Sequence, residues 1–276
     1  MTEYREQKLS VSIVCYLNPY PEIVAAVRTV ATAVASSSVD QAVINLVNND
    51  DSQTLNLASI ERDCGELVEA NCSLSLLQGH GNIGYGSAHN LVLDTCHTEY
   101  FMLMNVDVEI DIDAISNSLN YLESHSEVAA VSPHAVDEFG NKQYLCKREP
   151  SVFNFLIRGF ATAAIRELFS RRLSWYEMRD LSEEEPTHNI PIVSGCTMMC
   201  RTDALLKVGG FNEEYFLYFE DFDISMRLTE YYRLAYLPTM KIVHRGGKAA
   251  KKGLRHIRLF ATSAFKYFNT YGWKWI

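Results

Sequence analysis

Tyr100-Phe101-Met102-Leu103-Met104-Asn105-Val106-Asp107 is a run of five apolar residues that stops at an amide and a carboxylate. A run this short, with no alternating polar residue, reads as a strand buried on both faces. Three earlier runs are nearly continuous in the same way, interrupted by Ser12, by Gln41 and Asn45, and by Ser73 and Ser75. Residues 11–16 break at Asn18-Pro19-Tyr20-Pro21, residues 41–47 end in Asn48-Asn49-Asp50-Asp51-Ser52, and residues 73–77 end in the glycine-rich stretch 79–86. Between them, Ile23, Val24, Val27, Val30, Ala31 and Val34 recur at helical spacing, as do Leu55, Leu57, Ile60 and Leu67, and a further helix is expected over 89–95. Repeated β-α-β alternation with nearly continuous apolar strands predicts an α/β fold, a mostly parallel sheet flanked by helices. Ligands of such sheets bind beyond the carboxyl ends of the strands, where every one of these polar clusters falls.

Beyond Asp107 the pattern is mixed: a helix over 114–124, a strand over 128–132, an arginine-rich helical region over 153–173 and an exposed loop over 182–187. With 276 residues and 47% hydrophobic content, the chain suits one large domain. A net charge of -9 argues against nucleic acid as a partner, which would require a basic stripe. The seven cysteines, odd in number and without a Cys-x-x-Cys pair, read as reduced core thiols of a cytoplasmic protein. Residues 1–8 are polar, and no apolar stretch approaches a membrane span, so a soluble, non-exported body is expected.

Three groups could carry chemistry. Asn105 and Asp107 stand two apart beyond a buried strand and would point the same way if the strand continued. A carboxylate there, with substrate phosphates, suits a hard divalent cation; the same residues also end strands for ordinary turn reasons. Glu220, Asp221 and Asp223 put three carboxylates in four positions, which perturbs a pKa unless a cation offsets them. Asp223 and Arg227 stand at i and i+4, the spacing of a helical ion pair, and an acid-rich first helical turn is the purely structural alternative. His244 ends a strand before Gly246-Gly247, a position that gains meaning only if it meets Asp107 in space.

In this order the segments resemble the inverting glycosyltransferases of family 2, in particular their bacterial rhamnosyltransferase-like branch. The resemblance covers nearly the whole chain: Val11-Ser12-Ile13-Val14-Cys15-Tyr16 with Asn18; Val47-Asn48-Asn49 with Ser52; Asn82-Ile83-Gly84-Tyr85-Gly86 with Asn90; then Val193-Ser194-Gly195, Val208-Gly209-Gly210-Phe211, Tyr218-Phe219-Glu220-Asp221-Phe222-Asp223 with Arg227, and His244. It implies a GT-A (nucleotide-diphospho-sugar transferase) fold in a single domain over 1–276, with a nucleotide-sugar half (1–108), an acceptor and catalytic half (109–247) and a basic, aromatic C-terminal helical segment (248–276). It implies Asp221 as catalytic base assisted by Glu220, and donor contacts from Tyr16, Asn18, Asn48, Asp50, Asn82, Gly84, Tyr85, Asn105 and Asp107. Gly195, Asp223 and Arg227 fall at acceptor or supporting positions, and Asp107 with His244 at the place of a bound Mg²⁺ or Mn²⁺. Two departures stand out. Asn48 replaces an acid that often accepts a hydrogen bond from the pyrimidine ring, a role open to Asp50 or Asp51, and Leu17 looks inserted before Asn18.

The implied activity moves a sugar, L-rhamnose from a dTDP donor as first expectation and a UDP-sugar as second, to a saccharide or lipid-linked acceptor of bacterial surface polysaccharide such as O-antigen or capsule. A non-catalytic nucleotide-sugar-binding module is the competing class, in which an intact Glu220-Asp221 pair would be unnecessary. The last segment is cationic and aromatic: Lys248, Lys251, Lys252, Arg255 and Arg258 precede Phe260, Phe265, Tyr267, Phe268, Tyr271, Trp273 and Trp275. Leu254, Ile257, Ala261, Phe265 and Phe268 approximate a helical stripe, which predicts either a helix packed on the domain or a peripheral contact with the inner face of the plasma membrane. Oligomers are compatible with all of this.

Overall fold

The structure is a computed structural model that describes residues 8–246 and 253–276. The expected cations Lys248, Lys251 and Lys252, with Gly247, lie outside the described residues. The chain opens as the alternation predicts, with β1 (Leu9–Cys15), α1 (Tyr20–Ala35), β2 (Ala42–Asn48), α2 (Leu57–Asp63), α3 (Glu66–Glu69), β3 (Cys72–Leu77), α4 (Tyr85–Leu93) and β4 (Tyr100–Asn105). There follow β5 (Val108–Ile110), α5 (Ala114–Ser124), β6 (Val128–Val136), β7 (Lys142–Gln143), α6 (Val152–Phe160), α7 (Ala163–Leu168), α8 (Ser170–Tyr176) and β8 (Thr187–His188). The last elements are β9 (Thr197–Arg201), α9 (Thr202–Lys207), α10 (Glu220–Thr229), β10 (Arg233–His244) and α11 (Leu254–Tyr271).

One sheet runs β3-β2-β1-β4-β9-β6-β10-β5. The first four strands are parallel neighbours, and β9 enters antiparallel to both β4 and β6, so the second half is mixed. Strand parity divides the core into two layers. Leu9, Val11 and Ile13 of β1 and Tyr100, Met102 and Met104 of β4 join one cluster, while Val14, Phe101 and Leu103 join the other. Both faces are therefore covered, which is why these strands read as nearly continuous apolar runs. The seven cysteines are free, and burial pushes the Cys15 and Cys196 thiols up to about 12. No helix among the described residues is long and apolar enough to cross a membrane.

Local chemistry explains where element boundaries depart from the apolar periodicity. The helical pattern around Leu57 and Leu67 divides into α2 and α3, because Cys64 leaves helical geometry ahead of Gly65. The helix expected at 89–95 starts earlier, at Tyr85, since Gly84 (φ 94°) turns the chain there. The arginine-rich region is three short helices, and Ser151 and Thr162 accept hydrogen bonds as side-chain caps of the first two. β4 ends at Asn105 and the chain turns at Val106-Asp107, so strand parity does not relate the side chains of Asn105 and Asp107. Before α10, Tyr218 and Phe219 are both left-handed (φ 69° and 67°). Such residues cost about 1–2 kcal/mol each; burial of Phe219 among Phe155, Phe222, Phe260 and Tyr267 offsets the strain.

α11 reverses part of the expected stripe. Its buried face is Ser263, Tyr267 and Phe268, flanked by Phe260, Ala264 and Tyr271, whereas Leu254, Ile257, Ala261 and Phe265 face solvent. The cause is the partner surface: Tyr215, Phe219, Phe155 and Phe222 form an aromatic bed that the Phe260, Tyr267 and Phe268 rings fill. Of the predicted stripe only Phe268 is buried.

Candidate active site

The carboxyl ends of β1, β2, β3 and β4 collect one set of candidate residues. Tyr16 is exposed after β1, and its N–H donates to Asn18 Oδ1 (2.9 Å), while Leu17 is left-handed and exposed, as an inserted residue would be. Asn18 Nδ2 donates to Glu22 Oε2. At the end of β2 the side chains of Asn48 and Asn49 are committed to the loop itself. Asn48 Nδ2 donates to the Gln53 carbonyl (2.6 Å) and its Oδ1 accepts from the Asp50 N–H (3.2 Å). Asn49 Nδ2 donates to the Gly84 carbonyl (2.9 Å), tying β2 to the glycine loop. Asp50 keeps one oxygen on Ser52, and its Oδ2 is buried with no partner among the described residues. Asp51 Oδ1 accepts from the Gly81 N–H. An orphaned buried carboxylate oxygen costs free energy in the absence of a donor, so of the acids near Asn48 the one aimed at a missing donor is Asp50.

The glycine loop connects this set to the second half. Asn82 Oδ1 accepts from the Gly84 N–H, and the Tyr85 N–H donates to the Phe216 carbonyl (3.0 Å). A Cβ on Gly84 would lie 2.5 Å from that carbonyl oxygen, so only glycine fits. Asn90 pairs twice with the Phe211 backbone (2.8 Å each way), which accounts for the Asn in the motif: each bond is worth about 1 kcal/mol net, and more if a partner is stranded.

The Tyr85 hydroxyl donates to the Gly195 carbonyl (2.6 Å), and the Gly195 N–H donates to Asp221 Oδ2 (3.0 Å). Gly195 thus ties the glycine loop to Asp221 through the two peptides that flank it, and Asp221 Oδ1 takes the Phe222 N–H. A Cβ on Gly195 would press on Asp221 Cβ at 3.2 Å. Burial raises the Asp221 carboxyl above the ordinary range, against the stabilising backbone donors and the charge of Lys147. Glu220 is raised well above its ordinary value by burial and by the Asp221 charge, and its Oε2 is buried with no partner among the described residues. The Asp221 charge thus disfavours ionisation of Glu220. Asp223 and Arg227 form the expected ion pair (2.7 Å); Arg227 also donates to the Gly210 carbonyl and Tyr271 to Asp223 Oδ1, so they lock α10 to its neighbours.

His244 does meet Asp107. Their Nε2 and Oδ1 atoms are 3.6 Å apart, because β5 pairs antiparallel with β10 and sets His244 opposite Val108. Gln143 fixes the ring: its Nε2 donates to the His244 carbonyl (2.8 Å), so its Oε1 accepts from the His244 Nδ1–H (2.7 Å) and His244 Nε2 faces Asp107. A Cβ on Gly246 would fall 2.1 Å from Asp107 Oδ2, so the second chain wall must be glycine. No cluster of three or more His, Cys, Asp or Glu suited to a metal occurs among the described residues. One carboxylate and one oriented imidazole are instead a pair that could ligate a cation whose remaining ligands come from phosphate and water. The Asn105 N–H donates to the Cys196 carbonyl, next to Gly195, and the charges of Asp107 and Asp221 both bear on the Cys196 thiol, so the two carboxylates flank one mouth.

Sequence reasoning did not single out Gln143, Asn49, Lys147 or His89. His89 is fully buried, bonds Ser12 Oγ through Nδ1 (2.7 Å) and is held neutral, its pKa pulled to about 3 by burial. Lys147 donates to the Tyr144 and Cys146 carbonyls, and burial pulls it to about 8. Gln143 lies on a two-residue strand 101 positions from its partner, so no local spacing announces it.

Residues 10–209 match the model of Glycosyl transferase family 2. The chain belongs to this family. As a family 2 glycosyltransferase it is 26% identical over 190 residues to the N-acetylglucosaminyl-diphospho-decaprenol L-rhamnosyltransferase of Mycobacterium tuberculosis, a match that covers 64% of this chain and 60% of that relative. The chain thus spans about 60% of the length of the curated relatives it matches. Its GT-A fold is shared with the mannosyltransferase PcManGT from Pyrobaculum calidifontis, solved with GDP-Man and Mn²⁺ (TM-score 0.59, 17% identity, 97% of this chain and 65% of the other). S. aureus TarS 1-349, solved with UDP, is also similar (TM-score 0.54, 16% identity, 93% and 65%).

Proposed function

We propose that this glycosyltransferase moves L-rhamnose from dTDP-rhamnose, with inversion, to a saccharide or lipid-linked acceptor used in bacterial surface polysaccharide. The likeness to a decaprenol-linked rhamnosyltransferase supports the donor and acceptor class. The observation that carries the chemistry is the pair of carboxylates at one mouth, Asp107 facing an oriented His244 and Asp221 held by two backbone donors.

In this reading residues 8–108 hold the donor and residues 109–246 the acceptor and base. Asp50 Oδ2 accepts the pyrimidine N–H, with Tyr16 beside the base and Asn18, Asn48 and Asn82 shaping the loops around it. Asp107 and His244 would hold a Mg²⁺ or Mn²⁺ ion, whose positive charge at the diphosphate is Lewis-acid chemistry; Asn105 stands beside them. Asp221 accepts the proton of the acceptor hydroxyl as that oxygen bonds to the anomeric carbon, and the bond to the diphosphate breaks with its electron pair leaving on the phosphate oxygen. Glu220, whose ionisation is disfavoured, leaves Asp221 as the single base.

Tyr85 sets that base through Gly195. In Tyr85→Phe the Gly195 carbonyl loses its donor, Gly195 is held in place less firmly, and its N–H, in the preceding peptide, holds the Asp221 charge less well. The acidic limb of the rate profile therefore moves to higher pH; an unmoved limb contradicts the link between Tyr85 and Asp221. The function itself is tested by offering dTDP-rhamnose and UDP-sugars to the purified protein with a lipid-diphosphate saccharide acceptor. Faster transfer from a UDP-sugar would replace the donor assignment.

A further inference from the structure

The surface that carries the second observation lies away from the sheet. Helix α11 turns one face to the aromatic bed and leaves Leu254, Arg258, Ala261 and Phe265, spaced i, i+4, i+7 and i+11, on the other, with Leu254 84% and Phe265 59% exposed. Beyond it, Trp273 stacks on Phe268 and Trp275 (5.4 Å each), and the carbonyls of Lys274 and Trp275 accept from Val152 and Phe153 at the start of α6. The tail therefore joins α11 to the arginine-rich helices, which expose Leu156, Leu168 and Trp175. All three tryptophans of the chain, 175, 273 and 275, are exposed and fall in these two segments.

The charge is as uneven as the hydropathy. Residues 152–176 carry four arginines against Glu167, and residues 254–276 carry Arg255, Arg258, Lys266 and Lys274 with no acid, a net +7 in a chain of net -9. Among the described residues Arg166, Arg171, Arg255 and Arg258 meet no carboxylate in an ion pair. Exposed aliphatic side chains contribute nothing to holding a phosphodiester backbone, and an isologous second copy would set these four arginines against their own counterparts. Tryptophan beside cations and exposed leucine is the composition of an element that lies in the headgroup layer of an anionic bilayer.

We infer that α11, the tail and α6 to α8 form a docking face for an anionic lipid bilayer. The face shares its aromatic bed with Phe219 and Phe222, which bracket Glu220 and Asp221, so docking holds the mouth of the site beside the bilayer. This inference does not depend on the sugar assignment.

The test is sedimentation of the whole protein with vesicles of phosphatidylglycerol and phosphatidylethanolamine, and separately of phosphatidylcholine alone, with tryptophan emission recorded on the same samples. Binding to the anionic vesicles with a blue shift, at least ten-fold weaker on phosphatidylcholine, is expected. Leu254→Ser/Phe265→Ser and Arg255→Gln/Arg258→Gln should each weaken it at least ten-fold, with thermal melting and nucleoside-diphosphate titration unchanged. Absence of sedimentation by the unaltered protein, unaffected binding by both folded variants, or a light-scattering dimer that protects the tryptophans would overturn it. Loss of nucleotide binding with vesicle binding intact would instead reject the sugar-transfer reading and leave this one standing.

Discussion

Asp221→Asn should lower kcat by about 10²–10⁴-fold, the usual worth of a positioned general base, while a nucleoside diphosphate binds as before. The amide keeps the size of the side chain, and its oxygen can still take the Gly195 N–H, although its NH2 group gives up the bond from the Phe222 N–H. What it cannot do is accept the acceptor proton. Activity of the unaltered protein should fall on acidification through an apparent pKa above the ordinary carboxylate range, because burial raises Asp221 and the ionised form is the active one. Glu220→Gln should retain much of the activity, since burial and the Asp221 charge already disfavour ionisation of Glu220. Initial rates across pH for the three proteins check this; an Asp221→Asn enzyme of undiminished kcat would assign the base elsewhere.

Asp107→Ala should cost at least about 100-fold in kcat/KM, equivalent to roughly 3 kcal/mol, in line with the several kcal/mol a cation contributes to a departing phosphate. Gln143→Leu should do less, raising the metal concentration for half-activity about 10–100-fold, because it frees the His244 ring without removing a ligand. Mn²⁺ titrations of initial rate, after removal of metal by chelation, separate the two. Equal metal dependence in Gln143→Leu and the unaltered protein would mean that Gln143 orients nothing of consequence.

The parallel half of the fold was legible because β1, β2 and β4 are buried on both faces and so are written as predominantly apolar runs, broken only by Ser10, Ser12 and Asn45. The polar clusters after them marked the mouth for the same reason: a strand end is where polar side chains first reach solvent. β9 could not be placed this way, since Thr197-Met198-Met199-Cys200 carries no signal of its antiparallel insertion between β4 and β6. The meeting of Asp107 with His244 depends on the β5–β10 pairing across more than a hundred residues, and Gln143 on a strand of two residues, so neither could be read locally. α11 was misread in face rather than in existence: aliphatic and aromatic residues occupy both sides, and only the shape of the bed under it selects the rings of Tyr267 and Phe268.

The central claim is that Asp107 and His244 hold a cation at the diphosphate of a sugar nucleotide. Its most direct test is calorimetric titration of the protein with dTDP, UDP and GDP, each with and without Mn²⁺, repeated on Asp107→Ala. Metal-dependent binding of a pyrimidine nucleoside diphosphate, lost in the variant, is the predicted result. Failure of all three to bind under any condition, or binding indifferent to both metal and Asp107, would contradict it.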